Sequence, residues 1–494
     1  MKRYILAHDL GTSGNKATLF DETGALVTSR VTPYQMNVFN TNWAEQDPKI
    51  WWEAVCSSSR EVLATIDPKQ VTAVAFSGQM MGCLPIDKEG KPLHNALLYC
   101  DQRSTEQERQ FIDTLGFDRI YAITGHRPSS SYSLTKLLWL KKHRPQVYEK
   151  TFKVLQAKDY MNFLLTGEYA TDYNDASGTN AFDLSTLDWS DEILTAMGVP
   201  RSLFPQAYPS SAIIGKVHHK ASEQTGIPEG TPVIVGAGDG GCASLGAGSV
   251  SFGKPYLYMG SSSWVSIASK RPLSGPEKIG FTWAHPVAGL YQPCATMQTA
   301  GGSLSWFAQT YLGKSDGKTL DNVNETARTS ERGAHGLFFL PYLLGERSPW
   351  WSTKAKGAFV GLDLNTTFAD HCRAVLEGIA MNQKLNFAEM LNMTDDRQVM
   401  FIGGGALNQY LRQIMADVLG CEIAIPKFLT EATSMGAALL GGVGSGLYED
   451  FSLIEAMNPI QQIISPNREN VQYYEELTQR FAQLYRSLEP WFRQ

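Results

Sequence analysis

One short pattern occurs twice in this chain, once in each half: an apolar strand, a turn made of glycine and hydroxyl residues, and a second strand. The first copy spans residues 4–20 and turns at 11–15, and the second spans residues 256–268 and turns at 260–263. A duplicated unit of this kind predicts two related α/β lobes, because a generic doubly wound sheet does not require the duplication.

The length of the chain agrees with two lobes. Its 494 residues exceed the roughly 100–200 residues of an ordinary domain. We place the boundary just before the second copy of the pattern, and predict an N-terminal domain at 1–248 and a C-terminal domain at 249–494.

The charge balance restricts the partners of the protein. The formal net charge is −6, and no basic run stands out. We therefore expect neither a nucleic-acid backbone nor an anionic membrane surface as a partner. A small-molecule substrate fits this balance better than a polymer does.

Cysteine usage and the N-terminal residues predict a cytoplasmic protein. The seven cysteines are dispersed, without a CxxC pair, which favours reduced thiols. The apolar stretch at 4–7 is shorter than the roughly 7–15 apolar residues of a signal peptide. No window approaches the roughly 18 apolar residues of a membrane helix.

The first turn has the chemistry of an anion site. Its glycines let successive backbone N–H groups face a ligand, Thr12 and Ser13 add hydroxyl donors, and Lys16 adds a positive charge. Asp9, at the end of the preceding strand, is suited to hold Mg²⁺ through water. The alternative interpretation is a plain β-hairpin turn with a surface aspartate.

The string Gly238-Asp239-Gly240-Gly241 leaves one carboxylate among residues that do not block access to it. Phosphoryl transfer needs alignment, charge neutralisation and a base for the attacking hydroxyl, and Asp239 fits the base. The alternative is a turn aspartate that caps a helix.

Another glycine run, at 403–405 before Asn408, suits a flat adenine, although glycine after a strand is common.

Twelve strings, spread over the whole chain in one order, carry a resemblance to a known family. They are DLGTSGNK at 9–16, WAEQDPKIWW at 43–52, SGQMMG at 77–82, DQR at 101–103, SYSLTKLLWLKKH at 131–143, KDY at 158–160 with LTGEYATDYNDASGT at 165–179, GDGG at 238–241, FLPYLLGERSPWW at 339–351, GAFVGL at 357–362, RAVLEG at 373–378 and FIGGGA at 401–406. With them the chain resembles the FGGY carbohydrate kinase family from end to end, and most of all its xylulokinase branch.

The resemblance implies an α/β protein of two actin-like (ribonuclease H-like) lobes, with ATP and sugar in the cleft between them. The N-terminal lobe then holds the sugar and the first phosphate turn, and the C-terminal lobe holds the adenosine and the second phosphate turn. The implied catalytic base is Asp239. The implied ATP-binding residues are Thr12, Ser13, Lys16, Ser261, Gly301, Ser305, Gly404 and Asn408; those for the sugar are Gln79, Met80, Met81, Asp101, Arg103 and Asp239; those for Mg²⁺, through water, are Asp9 and Asp239.

Two positions depart from the family in ways that matter here. Xylulokinases usually read Gln-Met-His-Gly where this chain reads Gln79-Met80-Met81-Gly82. Loss of a polar partner for a buried hydroxyl shifts specificity strongly, so the departure puts D-xylulose in doubt but leaves phosphoryl transfer intact. His8 replaces an aliphatic residue, and we expect a core or hinge role for it.

The sequence therefore predicts an ATP- and Mg²⁺-dependent sugar kinase, with D-xylulose and its 5-phosphate as the first substrate and product to consider. Ribulose, L-xylulose, erythritol, glycerol and gluconate stay open as substrates, and a homodimer stays open as the assembly. The alternatives from other classes are an actin-like ATPase that acts on proteins and a catalytically silent sugar sensor. Trp43, Trp51 and Trp52 are expected to pack in the lobes rather than to stack on a sugar.

Overall fold

The computed structural model of the chain describes residues 2–493. They form two compact units. The first comprises Met1–Val250, Thr282–Gln292 and Glu431–Met457, and the second comprises Ser251–Phe281, Pro293–Thr430 and Asn458–Gln494. The sequence predicted a single division after residue 248. The structure corrects this, because two later segments pack with the first unit.

The strands, numbered in chain order, are β1 (Tyr4–Leu10), β2 (Gly14–Asp21), β3 (Leu26–Pro33), β4 (Asn37–Phe39), β5 (Trp43–Gln46), β6 (Val71–Gly78), β7 (Leu84–Ile86), β8 (Ala96–Leu97), β9 (Lys153–Leu155), β10 (Ala170–Asp172), β11 (Phe182–Asp183), β12 (Asp188–Trp189), β13 (Gln206–Tyr208), β14 (Ile213–Lys216), β15 (Pro232–Gly238), β16 (Pro255–Met259), β17 (Ser263–Ile267), β18 (Phe281–Ala284), β19 (Tyr291–Met297), β20 (Phe338–Leu340), β21 (Ala358–Val360), β22 (Gln398–Ile402), β23 (Glu422–Pro426) and β24 (Ile460–Ile464).

The α-helices are α1 (Pro48–Leu63), α2 (Thr105–Leu115), α3 (Phe117–Thr124), α4 (Ser133–His143), α5 (Pro145–Lys150), α6 (Ala157–Thr166), α7 (Tyr173–Ser177), α8 (Asp191–Ala196), α9 (His219–Thr225), α10 (Asp239–Gly246), α11 (Gly301–Leu312), α12 (Gly317–Ala327), α13 (Phe368–Leu391), α14 (Gln409–Leu419), α15 (Ala432–Gly444), α16 (Ile454–Met457) and α17 (Arg468–Phe492). Short 3₁₀ helices lie at Pro68–Gln70, Arg201–Leu203, Ala334–Gly336, Gly404–Leu407 and Phe451–Leu453.

The main sheet of the first unit has the strand order β14-β15-β6-β1-β2-β3. Strand β1 is antiparallel to β2 and parallel to β6, and β6 is parallel to β15. The nearly continuous apolar run of β1 is typical of a central strand buried on both faces. Because β1, β6 and β15 run in one direction, their carboxyl ends meet at the same edge of the sheet.

The main sheet of the second unit repeats this arrangement. Its order is β18-β19-β17-β16-β22-β23-β24, and β16 is antiparallel to β17 and parallel to β22. Both predicted strand–turn–strand patterns are thus β-hairpins whose first strand pairs with a parallel strand from further along the chain. The predicted duplication of an α/β unit is confirmed.

Helix α15 joins the first unit from late in the chain and packs closely against α10. A Cβ atom on Gly246 would lie 1.9 Å from the carbonyl oxygen of Ala432, and one on Gly436 would lie 2.0 Å from that of Cys242. Only glycine permits backbones to approach so closely. The same helix also packs on β1 and β6, which brings its first residues to the carboxyl end of β1.

Helix α17 is amphipathic. Leu477, Phe481 and Tyr485 are buried in the core of the second unit, and Leu484 and Leu488 pack against that core from its border. Among residues 2–493, no helix combines the length and the apolar character needed to cross a bilayer.

We expect Gly436→Ala to lower the free energy of unfolding of the first unit by about 1–3 kcal/mol, the usual cost of overpacking, because the added methyl group meets a backbone oxygen that cannot move aside. Chemical denaturation measures the change. The matched control is Gly317→Ala at the first position of α12, where a Cβ meets no atom within 4 Å. Equal stability of the two variants would contradict the packing argument.

Candidate active site

Three adjacent strand ends of the first unit bring together side chains that the sequence singled out. In the sheet register, Leu10 at the end of β1 lies opposite Gly78 at the end of β6, and Gly78 lies opposite Gly238 at the end of β15. Asp9 therefore lies beside the start of the turn that carries Gln79, and beside the first residue of α10, Asp239. This edge is the usual ligand position of α/β sheets.

Both carboxylate oxygens of Asp9 accept hydrogen bonds from hydroxyl groups. The Ser77 hydroxyl donates to Oδ1 at 3.0 Å, and the Thr433 hydroxyl donates to Oδ2 at 2.6 Å. Burial raises the pKa of the Asp9 carboxyl, and the two hydroxyl donors and the Lys16 ammonium offset part of that rise. Asp9 is thus held in a fixed orientation by partners from β6 and α15.

Asp239 is the first residue of α10 and is half-buried. Its Oδ1 accepts a hydrogen bond from the Gly240 N–H at 2.7 Å, and the Gly240 carbonyl accepts one from the Gln292 amide at 3.0 Å. Burial and the nearby Asp9 charge together raise the pKa of Asp239 to about 7, against the lowering effect of the Gly240 hydrogen bond. A carboxyl group with a pKa near neutrality is suited to general base catalysis.

The predicted phosphate turn joins β1 to β2. Backbone and side-chain bonds stabilise it, because the Gly11 N–H donates to the Gly14 carbonyl at 3.0 Å and the Tyr34 hydroxyl donates to the Gly11 carbonyl at 2.6 Å. Lys16 lies on β2 opposite Asp9 and forms an ion pair with Glu431, just before α15. Thr12 and Ser13 lie at the tip, partly exposed.

The predicted sugar residues Gln79, Met80 and Met81 follow β6. Met80 is buried against Gly238, where a Cβ atom would lie 2.4 Å from its side chain. Met81 has a left-handed backbone, with φ of 62°, and its carbonyl accepts a hydrogen bond from the buried Lys136 ammonium at 2.9 Å. This turn is therefore held in an unusual conformation by the surrounding structure.

Asp101 and Arg103 belong to a buried ion-pair network instead of presenting free groups. The Arg103 guanidinium contacts Asp101 Oδ2 at 2.7 Å and Glu45 Oε1 at 2.8 Å, and lies 4.0 Å over the ring of Trp43. Asp101 and Arg103, both predicted to bind the sugar, therefore contact each other in this structure.

The predicted nucleotide residues of the second unit line one cavity of about 460 Å³. Those residues are Ser261, Gly301, Ser305, Gly404 and Asn408. No atom lies within 4 Å of a Cβ built on Gly404, so this backbone leaves room for a flat ligand. Asn408 Nδ2 donates to Asn324 Oδ1 at 2.8 Å, which fixes the amide at the wall. The volume and the mixed apolar and polar lining suit a small organic ligand.

His8 and Trp51 belong to the core, as predicted. His8 is fully buried, stacks on Phe76 and contacts Asn15 at 3.1 Å, and burial lowers the pKa of its imidazole to about 3. Trp51 is 1% exposed. Neither ring faces solvent or a ligand.

Sequence reasoning missed several residues of both regions. In the first unit they are Ser77, Glu431, Thr433 and Gln46; in the second they are Asp321 and Asn324, which line the cavity. The residues around Glu431 and Thr433 form no recognisable motif, and Thr433 is 424 residues from Asp9 in the chain. The glycine-rich stretch at 432–444 indicates close packing of a helix but no functional site.

The main sheet of each unit pairs a β-hairpin with a parallel strand. Two neighbouring carboxylates lie in the first unit, and a ligand-sized cavity lies in the second. Together these features define a two-domain kinase fold of the actin-like type. The model of the FGGY family of carbohydrate kinases, N-terminal domain, matches residues 4–246, and that of the C-terminal domain matches residues 256–445. The chain belongs to the FGGY family of carbohydrate kinases and is an ATP-dependent sugar kinase.

Known relatives cover nearly the whole chain. A xylulose kinase of Lactococcus lactis is 30% identical over 490 residues, which is 98% of this chain and 97% of the relative. A gluconate kinase structure from Lactobacillus acidophilus matches with a TM-score of 0.94 at 26% identity, over 99% of this chain and 98% of that one. A xylulose kinase structure from Rhodospirillum rubrum matches with a TM-score of 0.93 at 27% identity, over 100% of both chains.

The raised pKa of Asp239 predicts a pH dependence of catalysis. As a general base, Asp239 would act only when it is deprotonated, and its protonation increases as the pH falls through about 7. We expect kcat/KM for the sugar to fall about tenfold per pH unit below this value, whereas an ordinary aspartate stays ionised down to about pH 4. Initial rates at saturating ATP, from about pH 5 to 9, test this; a profile that stays flat down to pH 5 would contradict it.

Proposed function

We propose that the protein transfers the γ-phosphate of MgATP to a hydroxyl group of a small open-chain sugar, with Asp239 as the general base. The observation that carries this proposal is the position of Asp239 at the carboxyl edge of the sheet, beside Asp9, with a pKa raised to about 7. The hydroxyl loses its proton to this carboxylate as its oxygen bonds to phosphorus.

The ATP-binding residues of each unit have their own part in this proposal. In the second unit, the cavity lined by Ser261, Gly404 and Asn408 has the size and lining to receive the adenosine. In the first unit, Thr12 and Ser13 have the hydroxyl groups to donate hydrogen bonds to phosphate oxygens. Lys16, which is paired with Glu431, exchanges this carboxylate for phosphate oxygens. Such preorganised donors stabilise the charge that develops during transfer.

The carboxylates fit the metal that accompanies ATP. Asp9 and Asp239 supply hard oxygen ligands, and Mg²⁺ commonly binds one or two carboxylates while it keeps several waters. When bound, the ion neutralises phosphate charge. Ser77 and Thr433 hold the Asp9 carboxylate in one orientation, and Asp9 and Asp239 are the residues that would hold the ion.

D-xylulose is the first substrate to test, since the most similar relatives described above include xylulose kinases. Gluconate is the strongest alternative, because a gluconate kinase has an equally similar fold. Ribulose, L-xylulose, erythritol and glycerol complete the panel. A coupled assay of ADP release decides among them, and ADP release that no sugar stimulates would favour a protein-directed ATPase or a sensor instead.

We expect Asp239→Asn to fold and to lose phosphoryl transfer by at least about 10²-fold, the range of general base catalysis, because the amide cannot take the proton. The assay is ADP release with the best sugar of the panel. The matched control is Asp113→Asn, an exposed aspartate on α2. Wild-type activity of Asp239→Asn would refute the base assignment.

We expect Met81→His to raise kcat/KM for D-xylulose by about tenfold relative to sugars that lack a hydroxyl group to pair with the new imidazole. The imidazole restores a polar partner, and histidine tolerates the left-handed backbone of this position better than most residues do. The KM for ATP serves as the internal control. An unchanged order of sugar preference would exclude Met81 as a determinant of specificity.

A further inference from the structure

Gln46, the last residue of β5, lies fully buried among residues of the candidate active site. Its Nε2 donates a hydrogen bond to the Thr12 carbonyl in the phosphate turn at 2.7 Å. Its Oε1 accepts two, from the Trp51 indole N–H at 2.9 Å and from the Gln79 amide Nε2 at 2.9 Å. One amide thus joins the phosphate turn to the predicted sugar turn.

The chemistry of these partners fixes the orientation of the Gln46 amide. A backbone carbonyl such as that of Thr12 only accepts hydrogen bonds, and the indole N–H of Trp51 only donates them. Gln46 must therefore turn its NH₂ group to Thr12 and its oxygen to Trp51. A flipped amide would bring two acceptors together and two donors together.

The fixed amide in turn determines which face Gln79 presents. Because the Gln46 atom that faces Gln79 is an acceptor oxygen, Gln79 must donate to it through its NH₂ group. Its own oxygen, Oε1, then points elsewhere, is buried, and accepts no hydrogen bond from the described residues. The Gln79 backbone N–H donates to the Leu10 carbonyl at 2.9 Å, which holds the residue at the strand ends beside Asp9.

We propose that Gln46 is a positioning residue that makes Gln79 an obligate hydrogen-bond acceptor toward the substrate. This inference rests on the proposed function of the site. The substrate group that faces Gln79 Oε1 is then a hydroxyl, which donates its proton, since a carbonyl or carboxylate oxygen at that point would be repelled. Buried acceptors of this kind discriminate strongly against analogues that lack the donor.

A double-mutant cycle tests the proposal with Gln46→Met, Gln79→Met and the double variant. Each single substitution should lower kcat/KM for the best neutral sugar about tenfold, the value of one lost hydrogen bond in a buried site. The double variant should be no worse than Gln79→Met alone, because Gln46 acts through Gln79. Losses that multiply would overturn the proposal, since they would mean that Gln46 acts independently of Gln79.

Monodeoxy analogues of the same sugar give a readout that a structural role would not move. One of these analogues lacks the hydroxyl group that donates to Gln79 Oε1. With that analogue, wild type and Gln46→Met should have equal kcat/KM. A loss of the same size on every analogue would overturn the proposal. The matched control is Gln224→Met, because Gln224 accepts the indole N–H of Trp52 at 2.8 Å in a similar glutamine–tryptophan pair and does not contact Gln79.

Gln46→Glu keeps the experiment decisive if Gln46→Met does not fold. A protonated carboxyl at this position reproduces both the donor and the acceptor of the amide, so sugar preference should be retained. The ratio of its kcat/KM to that of wild type at the same pH should rise as the pH falls. Loss of preference at every pH would overturn the proposal. Failure of wild type to phosphorylate any sugar would instead refute the proposed function, and the two failures are therefore distinguishable.

Discussion

The close contact between α10 and α15 is the constraint on which the first unit's candidate site depends. Asp239 opens α10, and Thr433 lies in the first turn of α15. Gly246 and Gly436 have no Cβ atom, so the two helix backbones can lie in direct contact. Both helices therefore begin at the same edge of the sheet. The hydrogen bond from the Thr433 hydroxyl to Asp9 results from that packing.

The two carboxylates at this edge illustrate how the fold adjusts acidity. Burial alone would raise the pKa of both groups, and their proximity raises that of Asp239 further. The hydroxyl donors and Lys16 act on Asp9 in the opposite direction. The pKa of Asp9 stays raised, but its hydroxyl and ammonium partners stabilise its ionised form in a way that Asp239, with one backbone N–H donor, does not share.

Much of this could be predicted from the sequence, because it depends on local patterns. The two hairpins, the strand–glycine–helix junction at Asp239 and the cap of α1 at Asp47 follow from periodicity and turn chemistry. Local patterns contain no information about partners far along the chain. The return of residues 431–457 to the first unit, and the capture of Arg103 by Glu45 and Asp101, arise from tertiary packing and were missed for that reason.

The composition of the first unit from distant segments has a consequence for biogenesis. Translation proceeds from the N-terminus, so the first 250 residues leave the ribosome long before α15 exists. Until α15 has been synthesised, the apolar residues of β1, β6 and α10 that it covers stay exposed. The nascent lobe therefore remains an incompletely folded intermediate. Premature termination anywhere before residue 431 would release a lobe that lacks α15, and the apolar surface left uncovered would make such a fragment a substrate for chaperones.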